Sequence, residues 1–263
     1  MVVTGSCIDP EVCKVAIIDD SYEHEPRDFI LPYWQAEIAG FHTVQLSGKI
    51  ADTFENLDEM ARRIAEQAQA AICTHRLSML DGKELCGAQL VASLYDLKIP
   101  ALLVTQYSDI DKHMSIRKWK DKVPIVLHPR EFEFETVQEY LEECAMELQG
   151  QPPEHRIPYR VLLLVHNVES AGEETAVDVE VGCWDHYHIV RLPLSLIPEH
   201  IRADIRCGTW LYADVNIKAR YQEGLYFRNF ELTSEPGDEG DEILVYCEEV
   251  YSGQGELFPN TTP

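Results

Sequence analysis

Positive charge is scarce in this chain. Its 263 residues carry 22 Lys and Arg against 46 Asp and Glu, a formal net charge of −24. Such a field repels phosphate backbones and anionic lipid, which argues against nucleic acid and the membrane as principal partners. Long apolar runs are missing too, since none approaches the ~20 residues needed to span a bilayer. Residues 1–10 hold neither a basic stretch nor an apolar core, so no secretory signal is expected and the expected location is cytoplasmic. The 8 cysteines include no Cys-x-x-Cys pair, and free thiols packed in the interior are the expectation. G-x-S-x-G, P-loop, H-E-x-x-H and G-x-G-x-x-G signatures are absent as well. The common hydrolase, nucleotide and zinc-peptidase chemistries therefore have no motif to stand on, and a non-enzymatic protein is expected.

What is present alternates. Short apolar runs rich in β-branched residues at 14–19, 41–46, 70–74, 100–105 and 124–127 predict strands. Helical patterns fall between and after them, at 29–39, 83–95, 109–120 and 132–148. A further one, capped by Thr53, carries Leu57, Met60, Ala61, Ile64 and Ala68 on one face. Five strands alternating with five helices predict a doubly wound parallel sheet over residues 14–150. In such sheets the site lies at the carboxyl ends of the strands, where Asp19, Asp20, His75, Thr105 and His128 fall. Residues 151–157 read as a Pro-containing linker. Strand patterns then crowd together at 159–168, 176–183, 187–192, 210–217, 226–232 and 243–250, predicting a small β-barrel or sandwich over 158–251. The class is thus α/β followed by all-β, with an N-terminal extension at 1–13 and a tail at 252–263.

Two of these strands carry motifs. Val15-Ala16-Ile17-Ile18-Asp19-Asp20 ends in adjacent acids, and Leu102-Leu103-Val104-Thr105 is followed by Tyr107-Ser108-Asp109. On these residues, 14–150 resembles the receiver domain of response regulators, the phosphorylated module of two-component signal transduction. The resemblance implies that Asp19 and Asp20 hold Mg²⁺ beside a phosphorylated Asp, with Thr105 turning toward the phosphate; paired carboxylates suit such a hard cation. Two positions depart from the family. Counted back from Asp81-Gly82, the phosphoacceptor falls on Arg76 or His75, and neither forms an acyl phosphate. The Lys-Pro of the fifth strand is His128-Pro129 here. The pocket of Asp19, Asp20, His75, Arg76, Thr105 and His128 is therefore expected to be degenerate, and the domain a pseudo-receiver. No cofactor is required, and Mg²⁺ at Asp19 and Asp20 is implied by the resemblance alone.

Receivers usually dock through the face that begins at the fourth helix. Here that stretch holds Lys112, Arg117, Lys118 and Lys120 around Trp119, just after Tyr107. A basic surface with an exposed aromatic suits a protein-docking face, a solvated helix with Trp119 packed inward is the equal alternative, and the resemblance implies homodimerisation through this face. In the second half, Cys183-Trp-Asp-His-Tyr-His188 offers metal-ligand chemistry, with His186 and His188 two apart and His166 on a neighbouring strand. The spacing matches no closed zinc motif, and a polar turn is the simpler reading. Trp184, Tyr187, Trp210, Tyr212, Tyr221, Tyr226 and Phe227 would make a stacking platform if they shared one face, although the acidic charge opposes nucleic acid. The expected function is regulation or adaptation through a protein partner, independent of phosphorylation. Two alternatives stand beside it: a metal-dependent enzyme or metal-binding protein using Asp19 and Asp20 or His186 and His188, and a nucleic-acid-binding barrel.

Overall fold

The computed structural model describes residues 13–18, 42–45, 56–80, 83–106, 111–129, 134–171, 174–185 and 187–234. The chain divides into two compact units, Met1–Arg156 and Ile157–Pro263. No helix among the described residues is long and apolar enough to cross a membrane.

The first unit is built on β1 (Lys14–Ile18), β2 (His42–Gln45), β3 (Ala70–Thr74), β6 (Ala101–Val104) and β7 (Ile125–Leu127). They lie in the order β2-β1-β3-β6-β7, and each neighbouring pair is parallel. Parallel strands buried on both faces need nearly unbroken apolar runs, and β1 after Lys14, β3 before Thr74 and β6 supply them. Ala16, Ile18, Ala71, Cys73 and Leu103 pack toward α1 (Leu57–Gln67) and α2 (Gly87–Asp96). The alternate residues Val15, Ile17, Ala70, Ile72, Leu102 and Val104 pack with Val137, Leu141 and Cys144 of α3 (Phe134–Leu148). A parallel sheet with helices on its two faces fits a receiver- or flavodoxin-like fold. Strand order reverses between β1 and β3, the point at which such sheets open a crevice.

Three local expectations change. The first is the start of α1: Asn56 rather than Thr53 caps it, its side chain accepting from the Glu59 backbone N–H at 2.9 Å. The second concerns residues 83–95, where the helical pattern begins four residues later than expected. Lys83–Cys86 is a strand, β5, paired antiparallel with β4 (Arg76–Leu80) across Asp81-Gly82. The third is the charged stretch 109–120, which forms a π-helical turn, Asp111–Ser115, and a 3-10 helix, Arg117–Lys122. The predicted helix at 29–39 lies outside the described residues.

The second unit is one antiparallel sheet in the order β10-β9-β8-β11-β12. Its strands are β8 (Tyr159–Ala171), β9 (Glu174–Val181), β10 (Val190–Pro193), β11 (Trp210–Val215) and β12 (Phe227–Thr233). Among the described residues β10 and β12 are edges, so the predicted barrel or sandwich is here an open sheet. The predicted strand at 243–250 lies outside the described residues. One face is apolar, with Val161, Leu163 and Val165 of β8 and Val177, Val179 and Val181 of β9. It is covered by Ile197, Ile201 and Ile205 around α4 (Glu199–Arg202) and by Ile217, Ala219 and Leu225 from the loop after β11. Asn216 holds that loop from inside. Its amide donates to the Gly224 carbonyl at 3.0 Å and its oxygen accepts from the Tyr226 N–H at 2.7 Å, so a fully buried polar group is satisfied at both ends.

Candidate functional site

The carboxyl edge of the parallel sheet carries His75, Arg76, Thr105 and His128 among the residues that the sequence singled out. β3 ends in Thr74 and is followed by His75, both buried. Thr74 Oγ1 donates to the Ile18 carbonyl at the end of β1, 3.4 Å away, tying the two strands together at the reversal point. The His75 Nε2 lies 3.0 Å from Ser115 Oγ on the π-helical turn, and its Nδ1 lies 3.9 Å from Cys86 Sγ. Thr105 is also buried, and its N–H donates to the Leu127 carbonyl at 2.9 Å, so β6 and β7 are joined at the same edge. His128 follows β7 and is half-buried. Arg76 opens β4 directly opposite Cys86. Asp19, Asp20 and Tyr107 lie outside the described residues, as do the side chains of Arg76 and Lys112.

The β4–β5 hairpin makes this arrangement. It leaves the end of β3 and returns to it, so Cys86 comes back beside His75 and serves as the N-cap of α2. Gly87 permits the return. Its N–H donates to the His75 carbonyl at 2.6 Å, and a Cβ on Gly87 would stand 1.8 Å from the Thr74 oxygen. Only glycine allows the helix start to approach the strand so closely. Sequence reasoning found His75 but missed Cys86 and Ser115. The signal for Cys86 was the Asp81-Gly82 turn between two short runs, which is a hairpin pattern.

The expected basic docking face is not one surface. Arg117 is 1% exposed and Lys120 6% exposed. Lys118 is exposed, with its Nζ 5.9 Å from the Trp119 ring centroid, while Trp119 itself packs partly against the core. Lys120 turns inward because carbonyls meet it there: Nζ donates to those of Val123 and Pro124, each at 3.0 Å. Burial, and then the neighbouring Arg156 guanidinium, bring its pKa down to about 7. Arg156, also buried, makes a forked pair with Glu147 at 2.9 and 2.8 Å and donates to the Lys120 and Asp121 carbonyls at 3.0 and 2.7 Å. Burial also pushes the nearby Cys144 thiol far up, so that it stays protonated.

In the second unit the metal candidates separate. His166 pairs with Glu180 at 2.9 Å, and His188 Nδ1 lies 2.6 Å from Asp185. Cys183 is disulfide-bonded, which corrects the expectation of free thiols and removes its sulfur as a ligand. His186 lies outside the described residues. Among the described residues no group of three His, Cys, Asp or Glu side chains comes together to hold a metal ion. The aromatics do not share a face either. Phe227 and Tyr226 are in the interior, Tyr187 and Tyr221 are 94% and 62% exposed, and Trp210 and Tyr212 lie half-buried opposite Leu164 and Leu162.

No family model matches this chain, and no curated protein matches it in sequence. Among solved structures, it is similar to a response regulator receiver domain protein from Clostridium thermocellum, at 15% identity and a TM-score of 0.36, over 52% of this chain and 98% of that one.

Proposed function

We propose that this protein is a signalling or regulatory adaptor whose receiver-like first unit works without phosphorylation. One observation carries the reading. The end of β3, where a receiver carries its phosphoacceptor carboxylate, is occupied by Thr74 and a buried His75 whose ring nitrogens face Ser115 and Cys86. An imidazole engaged at both nitrogens is a structural replacement for that acid, and it brings no acyl-phosphate chemistry. The output is association with a protein partner, since the net charge of −24 disfavours nucleic acid and anionic lipid. The second unit serves that association through its polar outer face, where Arg160, Asp214 and Glu231 lie in reach of solvent.

The test is intact mass after incubation of the whole chain with Mg²⁺ and acetyl phosphate. An unchanged mass in a folded sample is expected. A gain of one phosphoryl group overturns the reading and directs attention to the modified residue.

A further inference from the structure

The Cys86, His75 and Ser115 side chains form a nucleophile, a base and a group that orients the base. His75 Nε2–H donates to Ser115 Oγ at 3.0 Å in the tautomer that leaves the Nδ1 lone pair facing Cys86 Sγ at 3.9 Å. Cys86 is the N-cap of a ten-residue helix and its thiol makes no capping bond. The positive end of that helix favours a thiolate, as does an adjacent imidazolium. The thiol is half-buried rather than sealed, so a small reagent reaches it. The other described free thiols differ from it: Cys13, Cys73 and Cys144 are buried, and Cys207 is exposed.

We infer that Cys86 is a covalent modification site, a His75-activated thiol that a hydroperoxide oxidises to the sulfenic acid. His75 Nδ1 takes the thiol proton. The thiolate sulfur attacks one peroxide oxygen, the S–O bond forms and the O–O bond breaks. The leaving hydroxide or alkoxide takes the proton back from the imidazolium and departs as water or alcohol. Sulfur is oxidised by two electrons and the peroxide reduced by two. This chemistry needs a thiolate and one proton donor, the two groups that the site provides. Acyl transfer would need an oxyanion hole as well, and the Gly87 N–H at the helix start is already committed to the His75 carbonyl.

The inference rests on the phosphorylation-independent reading and supplies that unit with a different covalent input. It places the chemistry at the carboxyl end of β3, on the hairpin that joins this strand to α2. Oxidation there adds an acceptor oxygen beside His75 and Ser115 and so bears on the hairpin and the π-helical turn together.

The experiment treats the full chain with hydrogen peroxide at stoichiometric ratio, traps sulfenic acid with dimedone, and maps the adduct by peptide mass. Cys86 is expected to be trapped ~10-fold or more faster than the more exposed Cys207 at neutral pH. His75→Gln is expected to slow Cys86 by a similar factor and move the midpoint of its pH–rate curve upward, with Cys207 unchanged. A Cys86 rate at or below that of Cys207 overturns the inference, and so does an unaltered rate in a folded His75→Gln protein. If that variant fails to fold, the comparison of the two thiols in the unsubstituted protein decides. A phosphoryl gain with acetyl phosphate would strike the phosphorylation-independent reading and leave a reactive Cys86 standing. An inert Cys86 in an unphosphorylated protein would strike the thiol assignment alone.

Discussion

The two units handle charge in opposite ways. In the first, Arg156 and Glu147 are paired with side chains 2% and 8% exposed, next to a buried Lys120. In the second, Arg191 forks onto Asp178 at 2.8 and 2.9 Å and also reaches Glu169, but its side chain is 38% exposed. Arg160 joins Asp214 and Glu231 on the same sheet, again in reach of water. Geometry is good in both places, and solvent makes the difference. A buried charge that loses its partner has no water to fall back on, whereas an exposed one does. In the first unit the Arg156–Glu147 pair lies in the interior, while Arg63–Glu59 and Lys122–Asp96 on the outer sides of its helices stay in reach of water. Among the described residues, the antiparallel sheet keeps the charged pairs of Arg160 and Arg191 in reach of water.

The largest expected effect follows from removing a buried partner. Glu147→Gln should destabilise the first unit by about 3–5 kcal/mol in denaturant unfolding followed by hydrogen exchange of β3 and β6 peptides, with β8 and β11 unaffected. Replacing Glu147 and Arg156 together by Met should be milder than either single change. An equal loss would show that the pair is not the reason for the cost.

Lys120 comes next, through pH. Its folded pKa of about 7 lies below the ordinary 10.5, so between these values the unfolded chain binds a proton that the folded one does not. This group should therefore raise the stability of the first unit with pH across that window, by on the order of 5 kcal/mol over its full span. Below about pH 7 both states are protonated and this contribution to the slope ends. Lys120→Met should flatten the rise. Above about pH 9 the Cys144 thiol opposes this rise, because the unfolded chain loses a proton there that burial keeps on the folded thiol.

A smaller contrast sets two glycines against each other. Gly87→Ala drives a methyl group into the Thr74 carbonyl and should cost ~3 kcal/mol, since backbone rather than a flexible side chain must move. Gly208 in the second unit meets nothing within 4 Å, but its φ is +84°. Gly208→Ala should cost ~1 kcal/mol through backbone conformation alone. Equal losses in melting experiments would mean that the end of β3 yields more than its contacts imply.

Arg191→Ala should have the least effect, below ~1 kcal/mol and fading with added salt. Its signature is in acid. Hydrogen bonding to Arg191 holds the Asp178 carboxyl below its usual range, so this pair stabilises above the unfolded pKa and is lost as pH falls through the folded one. The variant should lose that acid-side dependence.

How far the sequence could be read follows from the same difference. Strands β1, β3 and β6 were legible because burial on two faces demands unbroken apolar runs, and Ala70–Thr74 has no polar interruption before its last residue. The open sheet was legible strand by strand but not in its closure, since alternation tells which face is apolar and not which edges meet. Residues 83–95 misled because Leu85, Leu90, Val91 and Leu94 keep a helical period across what is in fact a strand joined to a helix. At 117–122 the charge pattern pointed outward, and backbone carbonyls drew Lys120 inward instead. At the site, His75 could be placed from strand position alone. Its neighbours Cys86 and Ser115 lie 11 and 40 residues away, brought there by a hairpin and a π-helical turn that local patterning does not specify.

Arg156 sits on the short 3-10 turn Glu154–Arg156, inside the stretch 151–157 that reads as linker. Anyone isolating the first unit by cutting where the last long helix ends, near residue 150, would discard the cation that Glu147 needs, along with two donors that reach back to Lys120 and Asp121. The fragment would then carry a built-in defect, and its poor behaviour would be mistaken for a property of the domain. A cut after residue 156 keeps the clasp with the part it fastens. The working boundary of the unit is set by a side chain rather than by the last turn of helix.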